Sequence, residues 1–291
     1  MVLRYETNSA HFDFPEYNAF PSIRYIVASS PRCGSNLLQR ALWRSGVAGA
    51  PEEYLTEGYA NDFAARWETI RDSGGINPND YLQMLMRFRT SPNGAFGLKV
   101  HGSHLSNVFL SRLNLDQHLQ VPTYIVLRRR NKFLQAVSYA LARQTGIWIL
   151  DGAWLPDTSA LITSPNYSFE EIVSCLDGIV QEEQVWDRYL LDRAITPYFV
   201  VYEELVDNLH AVTLKVLHQL GVELTGGQSL DAGIRQQATA LNHEWADRFE
   251  SDLKRADVLL QRIDEGVSSL DAALAEQSGE PEPPITQVLK S

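Results

Sequence analysis

The chain has 291 residues, 44% hydrophobic and 10% aromatic, enough for one large α/β domain or a domain with a cap. Its formal net charge of −11 argues against a protein that tracks nucleic-acid phosphates, since that task needs a basic face; a local basic pocket remains compatible with it. Two cysteines, Cys33 and Cys175, make no disulfide framework, no apolar run is long enough to span a bilayer, and residues 1–21 contain no apolar signal core. The expectation is a cytoplasmic protein without a transmembrane segment.

Residues 1–22 read as an irregular arm, followed by a domain over 23–276 and a Pro- and Glu-rich flexible tail over 277–291. Tyr25–Ser29 is a short apolar run bounded by Ser30 and Pro31, which predicts a buried strand. A turn, Arg32-Cys33-Gly34-Ser35-Asn36, leads into a helix with Leu37, Leu38, Ala41 and Leu42 on one face, stopped at Gly46. Helices are expected over 58–73 and 78–90, strands over Ala95–Val100 and Tyr124–Leu127, and another helix after Arg128-Arg129-Arg130-Asn131. Residues 146–167 show no period, and a loop of that length in a compact domain is usually functional or mobile.

Ser168 with Glu171 has capping-box spacing ahead of a helix running to about Arg193. Tyr198–Tyr202 predicts a fourth strand, Leu209–Leu220 an amphipathic helix, and 243–275 further helix. Strands alternating with helices imply an α/β fold, a mainly parallel sheet flanked by helices, with ligands bound outside the strands' carboxyl ends.

Two segments suit anions. Ser29–Asn36 joins strand to helix, where unpaired N–H groups and the helix dipole attract negative charge. Gly34 permits close approach, Ser35 and Asn36 offer donors, and Arg32 offers a planar cation. The turn lacks the lysine and the glycine spacing of a Walker A loop. Leu127–Asn131 places three arginines at another strand end, with Ser138 returning to the same helix face about 10 Å further on. Taken singly, the first segment is as compatible with an ordinary strand-turn-helix as with an anion site, and the arginine run reads more readily as a solvated or carboxylate-paired charge run.

Together these stretches resemble bacterial carbohydrate sulfotransferases of the trehalose 2-sulfotransferase type, with a P-loop-like fold. The matching segments are RYIVASSPRCGSNLL (24–38), GVAGAPEEYL (46–55), AFGLKVH (95–101), YIVLRRRNKFLQAVS (124–138), RQTGIW (143–148) and HEWADRF (243–249). The resemblance implies a metal-free enzyme that moves a sulfuryl group from 3'-phosphoadenosine-5'-phosphosulfate (PAPS) to a carbohydrate or glycolipid hydroxyl, releasing 3'-phosphoadenosine-5'-phosphate (PAP). It implies that Arg32, Gly34, Ser35 and Asn36, with Cys33 in the same turn, hold the 5'-phosphosulfate. Arg129 or Arg130, with Ser138, would hold the 3'-phosphate, the triple arginine leaving the match open by one residue. Glu53 matches the general base. A homodimer is also implied.

Lys99 and His101, in a Lys-x-His arrangement like that of animal cytosolic sulfotransferases, are further catalytic candidates, His101 being the second choice as base and His104 a third. Trp148 and Trp154 are candidates for stacking on sugar faces. The family's basic residue before the Glu-Trp pair falls here near Leu241, behind Arg235, Gln236 and Gln237, and no residue is assigned to that role. Regions 56–92 and 149–167, expected on the acceptor side, share no likeness that names an acceptor. The alternatives are a metal-dependent P-loop nucleotide kinase and a non-catalytic nucleotide-binding module.

Overall fold

The structure, a computed structural model, describes residues 9–69, 75–105, 115–120, 122–149, 164–224, 229–234, 239–254 and 260–278. Four segments rich in β-branched and aromatic residues pair as strands: β1 (Ile23–Ser29), β2 (Ala95–His101), β3 (Thr123–Arg128) and β4 (Tyr198–Val201). Their order is β2-β1-β3-β4 and every pairing is parallel. The helices are α1 (Ser35–Arg44), α2 (Glu57–Arg66), α3 (Pro78–Arg89), α4 (Gly102–Leu105), α5 (Leu115–Leu119), α6 (Lys132–Thr145), α7 (Phe169–Asp192), α8 (Tyr202–Asp207), α9 (Leu209–Gln219), α10 (Ala240–Leu253) and α11 (Leu260–Ser278).

Both sheet faces are covered, which is why the strands read as continuous apolar runs and not as alternating ones. Ile26, Ala28, Leu98, Val100, Tyr124 and Val126 point to one face and pack with Phe63, Tyr81, Leu85 and Trp186. Tyr25, Val27, Ile125, Leu127 and Val200 point to the other and meet Leu38, Leu42, Val216 and Leu217. A third cluster joins Ala136, Val137 and Ala140 of α6 to α7 and to Trp245 and Phe249 of α10. The helices expected within 56–92 therefore form much of one covering layer.

Several boundaries move. The helix expected over 58–73 closes at Arg66, and residues 70–74 lie outside the described ones. Tyr202, expected as the last residue of a strand, begins α8 instead. Only half of the expected capping box forms: Ser168 Oγ accepts from Glu171 N–H, while the Glu171 carboxylate accepts from Gln144. The flexible tail was expected to start at 277, yet Gln277 is helical and docks on edge strand β4, accepting from Phe199 N–H and donating to Phe199 C=O. That contact blunts an open sheet edge. Trp154 and Arg235–Gln237 lie outside the described residues. Among the described residues no helix is long and apolar enough to cross a membrane.

The topology places the site. β1 is flanked by β2 on one side and β3 on the other, so successive crossovers diverge beside it, and a crevice opens above the carboxyl ends of the strands. Ser29 lies beside His101 there, and Arg128 beside Val201.

Candidate active site

A cavity of about 320 Å³ occupies this crevice. Its floor is the turn after β1, where Arg32 (φ 64°) and Gly34 (φ 93°) both lie in the left-handed region. A Cβ on Gly34 would sit 2.5 Å from the Tyr202 ring, so only glycine lets the turn fold down onto that tyrosine. The first turn of α1, Ser35 to Leu37, lines the cavity; the Gly34 carbonyl accepts the Leu37 N–H at 2.9 Å, so the backbone N–H groups of the turn that remain for an anion are those of Ser35 and Asn36.

The three consecutive arginines separate into three environments. Arg128 ends β3 and is committed to ion pairs with Glu183 (3.0 Å) and Asp187. Arg130 is exposed and turns to Glu204 (3.4 Å) and Asp271 (3.5 Å), away from the cavity. Arg129 lines the cavity although it is only 5% exposed. Its guanidinium lies 4.3 Å over the Tyr202 ring and reaches the Arg32 carbonyl at 3.4 Å. Its Nε has no hydrogen-bond partner, and no carboxylate comes within ion-pairing distance among the described residues. The expectation that all three arginines build one basic site is thus corrected to a single residue, because the strand end, the turn and the helix start aim successive side chains in different directions.

Arg32 Nε donates to Ser138 Oγ (3.0 Å) and its Nη1 to the Trp148 carbonyl (2.5 Å). Burial, and then the neighbouring Arg129 charge, pull the Arg32 guanidinium down to about 10. Two partly desolvated cations side by side are costly unless an anion joins them.

On the β2 side, Glu53 Oε1 receives Lys99 Nζ at 2.9 Å and lies 3.2 Å from His101 Nε2. Oε2 receives no protein donor among the described residues, and Glu53 lines the cavity. Burial alone would raise the Glu53 carboxyl, but the Lys99 and His101 charges outweigh it and hold the group well below the usual carboxylate range. Burial would likewise lower Lys99; Glu53 and Glu52 reverse this and raise it. Lys99 does not line the cavity: it is buried under the floor, donating also to Asn36 Oδ1 and lying 3.6 Å from Glu52.

Both ring nitrogens of His101 are engaged, Nε2 with Glu53 and Nδ1 with Ser29 Oγ at 3.0 Å. His104 Nδ1 accepts the His101 backbone N–H at 3.1 Å. Burial, then the adjacent His101, depress His104 to about 4, so it is neutral at physiological pH.

The structure therefore gathers Arg32, Gly34, Ser35, Asn36, Arg129, Ser138, Glu53 and His101 around one cavity. Cys33 does not join them; its side chain is fully buried in the core beside Leu38 and Leu42. Trp148 lines the cavity wall. Sequence reasoning missed Tyr202, Tyr139, Glu182 and Asn242, all of which also line it. Tyr202 immediately follows β4 and carried a positional signal; Glu182 sits mid-helix among other carboxylates and carried none.

The sequence profile described as Stf0 sulphotransferase matches residues 24–252. The trehalose 2-sulfotransferase of Mycobacterium tuberculosis is 23% identical over 266 residues, spanning 79% of this chain and 96% of the relative. That of Mycolicibacterium smegmatis is 25% identical over 270 residues, with the same shares. Among solved structures, the sulfotransferase domain of the Synechococcus PCC 7002 olefin synthase aligns with a TM-score of 0.44 at 15% identity, covering 81% of this chain and 98% of that domain, a likeness too loose to carry an inference.

Proposed function

The chain belongs to the Stf0 sulphotransferase family, and from that membership we propose that it transfers a sulfuryl group from PAPS to a hydroxyl of a neutral carbohydrate. The observation that carries the donor assignment is Arg129, a buried cation facing the cavity with no carboxylate within ion-pairing distance among the described residues and an Nε that has no hydrogen-bond partner. Its natural partner is an anion brought by the ligand. The turn Arg32–Asn36 offers a second anion site, and a nucleotide with phosphates at two places satisfies both. In this reading Arg32, Ser35, Asn36 and the α1 N–H groups hold the 5'-phosphosulfate, and Arg129 with Ser138 holds the 3'-phosphate.

The acceptor lies toward β2. Glu53, His104 and Glu182 line the cavity at that end. Glu182 is oriented by the Ser103 backbone N–H at 2.7 Å. Two carboxylates and a neutral imidazole favour a polyhydroxylated, uncharged acceptor over an anionic one, in keeping with the trehalose named for the relatives.

Glu53 is the general base. Lys99 and His101 fix Oε1, leaving Oε2 to accept the hydroxyl proton, whereas His101 has no ring nitrogen to spare. A carboxylate this weakly basic suffices, because the alcohol proton becomes strongly acidic as its oxygen bonds to sulfur. As that bond forms, the sulfur–oxygen bond to the 5'-phosphate breaks. Arg32 and the helix N–H groups stabilise the charge growing on the leaving phosphate, with Lys99 one residue behind through Asn36. Fixed cations then do what a metal does in phosphoryl transfer. A cytoplasmic setting accords with the two free, buried cysteines; a homodimer belongs to the same proposal by family likeness.

Calorimetric titration without metal tests the donor assignment. Micromolar binding of PAP with none of ATP is the expected result, and the reverse preference overturns it. Transfer of labelled sulfate to a panel of neutral disaccharides then tests the acceptor class.

A further inference from the structure

Helix α10 begins at the cavity, and its start holds an amide whose orientation is dictated by the helix itself. Thr239 is the N-cap, and Asn242 Oδ1 accepts both the Thr239 backbone N–H (2.9 Å) and the Thr239 hydroxyl (2.9 Å). A backbone N–H can only donate, so the atom facing it is the amide oxygen, and the amide nitrogen is forced to the opposite side. Asn242 is 5% exposed and lines the cavity, yet among the described residues Nδ2 meets no acceptor. Packing allows no easy escape: Trp245 and Phe249 lock α10 onto Ala136, Val137 and Ala140 of α6, the helix that carries Ser138. Tyr202, Val206, Ile234 and Arg129 line the same cavity, with Arg129 over the Tyr202 ring.

We infer that Asn242 is a specificity-determining contact for the sulfuryl donor, presenting its two N–H groups, with the positive end of α10 behind them, to an acceptor atom of the 3'-phosphoadenosine half. The inference rests on the donor reading above. It is independent of the identified arginines, because it comes from the cap geometry of a helix that neither anion-binding turn includes. The N–H pair opens onto the cavity, where water reaches it in the free protein; the phosphate oxygens and ring nitrogens of such a ligand are acceptors that can take the water's place. A water alone would satisfy the amide but would confer no selectivity.

Asn242→Asp separates binding from capping. The aspartate keeps an oxygen for Thr239 and nearly the same volume, and an acid in the first turn of a helix is favourable. It replaces the N–H donors with an acceptor. The expected result is an unchanged or raised melting temperature for the free protein and a loss of roughly ten- to hundred-fold in PAP affinity. Adenosine 5'-phosphate serves as the second ligand: a loss confined to PAP places the N–H groups at the 3'-phosphate, and an equal loss with both places them at the purine. Thr239→Ala is the control, since it removes the cap but keeps the amide nitrogen. Asn242→Asp binding PAP within about twofold of the unaltered protein, or Thr239→Ala weakening PAP as much as Asn242→Asp does, overturns the inference. Failure of the unaltered protein to bind PAP would instead remove the donor reading on which it rests.

Discussion

At the scale of the residue, one buried arginine separates structure from function. Arg128 and Arg130 have carboxylates, and Arg129 has none within ion-pairing distance among the described residues. Replacing it should help the empty protein and harm the liganded one. Arg129→Met should raise the melting temperature slightly, since it removes a desolvated charge, while PAP affinity falls about 100-fold. Arg130→Ala should change PAP affinity by less than about twofold. Calorimetry and thermal melts read both. Glu53→Gln should lower kcat by about 10²- to 10⁴-fold with PAP affinity retained, in single-turnover assays. His104 supplies a stability signature. Its pKa is depressed in the folded state, so the unfolded chain binds the proton first; the stability it contributes is present above about 6.5 and is lost as pH falls toward about 4. Urea unfolding of His104→Gln should show a shallower decline over that window.

At the scale of the element, the anion-binding turn is held from below. Glu183 of α7 is buried and receives Arg128 at 3.0 Å, Lys132 at 2.6 Å and Ser30 Oγ at 3.2 Å. Gln135 of α6 donates to Ser30 Oγ and to the Pro31 carbonyl. The turn is thereby fixed to both α6 and α7 just before Arg32. Opposed to burial, which raises it, Arg128 and Lys132 hold the Glu183 carboxyl low. Glu183→Ala should cost about 3–5 kcal/mol in urea unfolding, because it strands the buried Lys132 and leaves Arg128 with Asp187 alone. This network was invisible in the sequence: its members lie at 30, 128, 132, 135 and 183, and only the fold unites them. The strands and the helices around the turns were legible, since buried parallel strands are short apolar runs and α1 and α6 carry clear periodicity. Tyr202 was misplaced because an aromatic continues a strand pattern as readily as it begins a helix.

At the scale of the whole molecule, a chain of net charge −11 sets the two arginines that line its cavity, Arg32 and Arg129, after β1 and β3, and the carboxylate of Glu53 beside the end of β2. That partition follows from strand order, with the donor reading on one side of the central turn and the acceptor reading on the other. Strand order was not legible in the sequence, although the prediction of a parallel α/β sheet implied that some such crevice exists. Because the stabilising charge is built from side chains and helix termini, sulfate transfer should persist in excess chelator; abolition by chelator and rescue by a divalent ion would require a different mechanism.

The account depends on one nucleotide spanning the turn at Arg32 and the guanidinium of Arg129. The direct measurement is the ratio of affinities for PAP and adenosine 5'-phosphate, in the unaltered protein and in Arg129→Met. The unaltered protein should prefer PAP by about 100-fold, and the variant should bind the two about equally. An unaltered protein indifferent to the 3'-phosphate, or a variant that keeps the full preference, would contradict it.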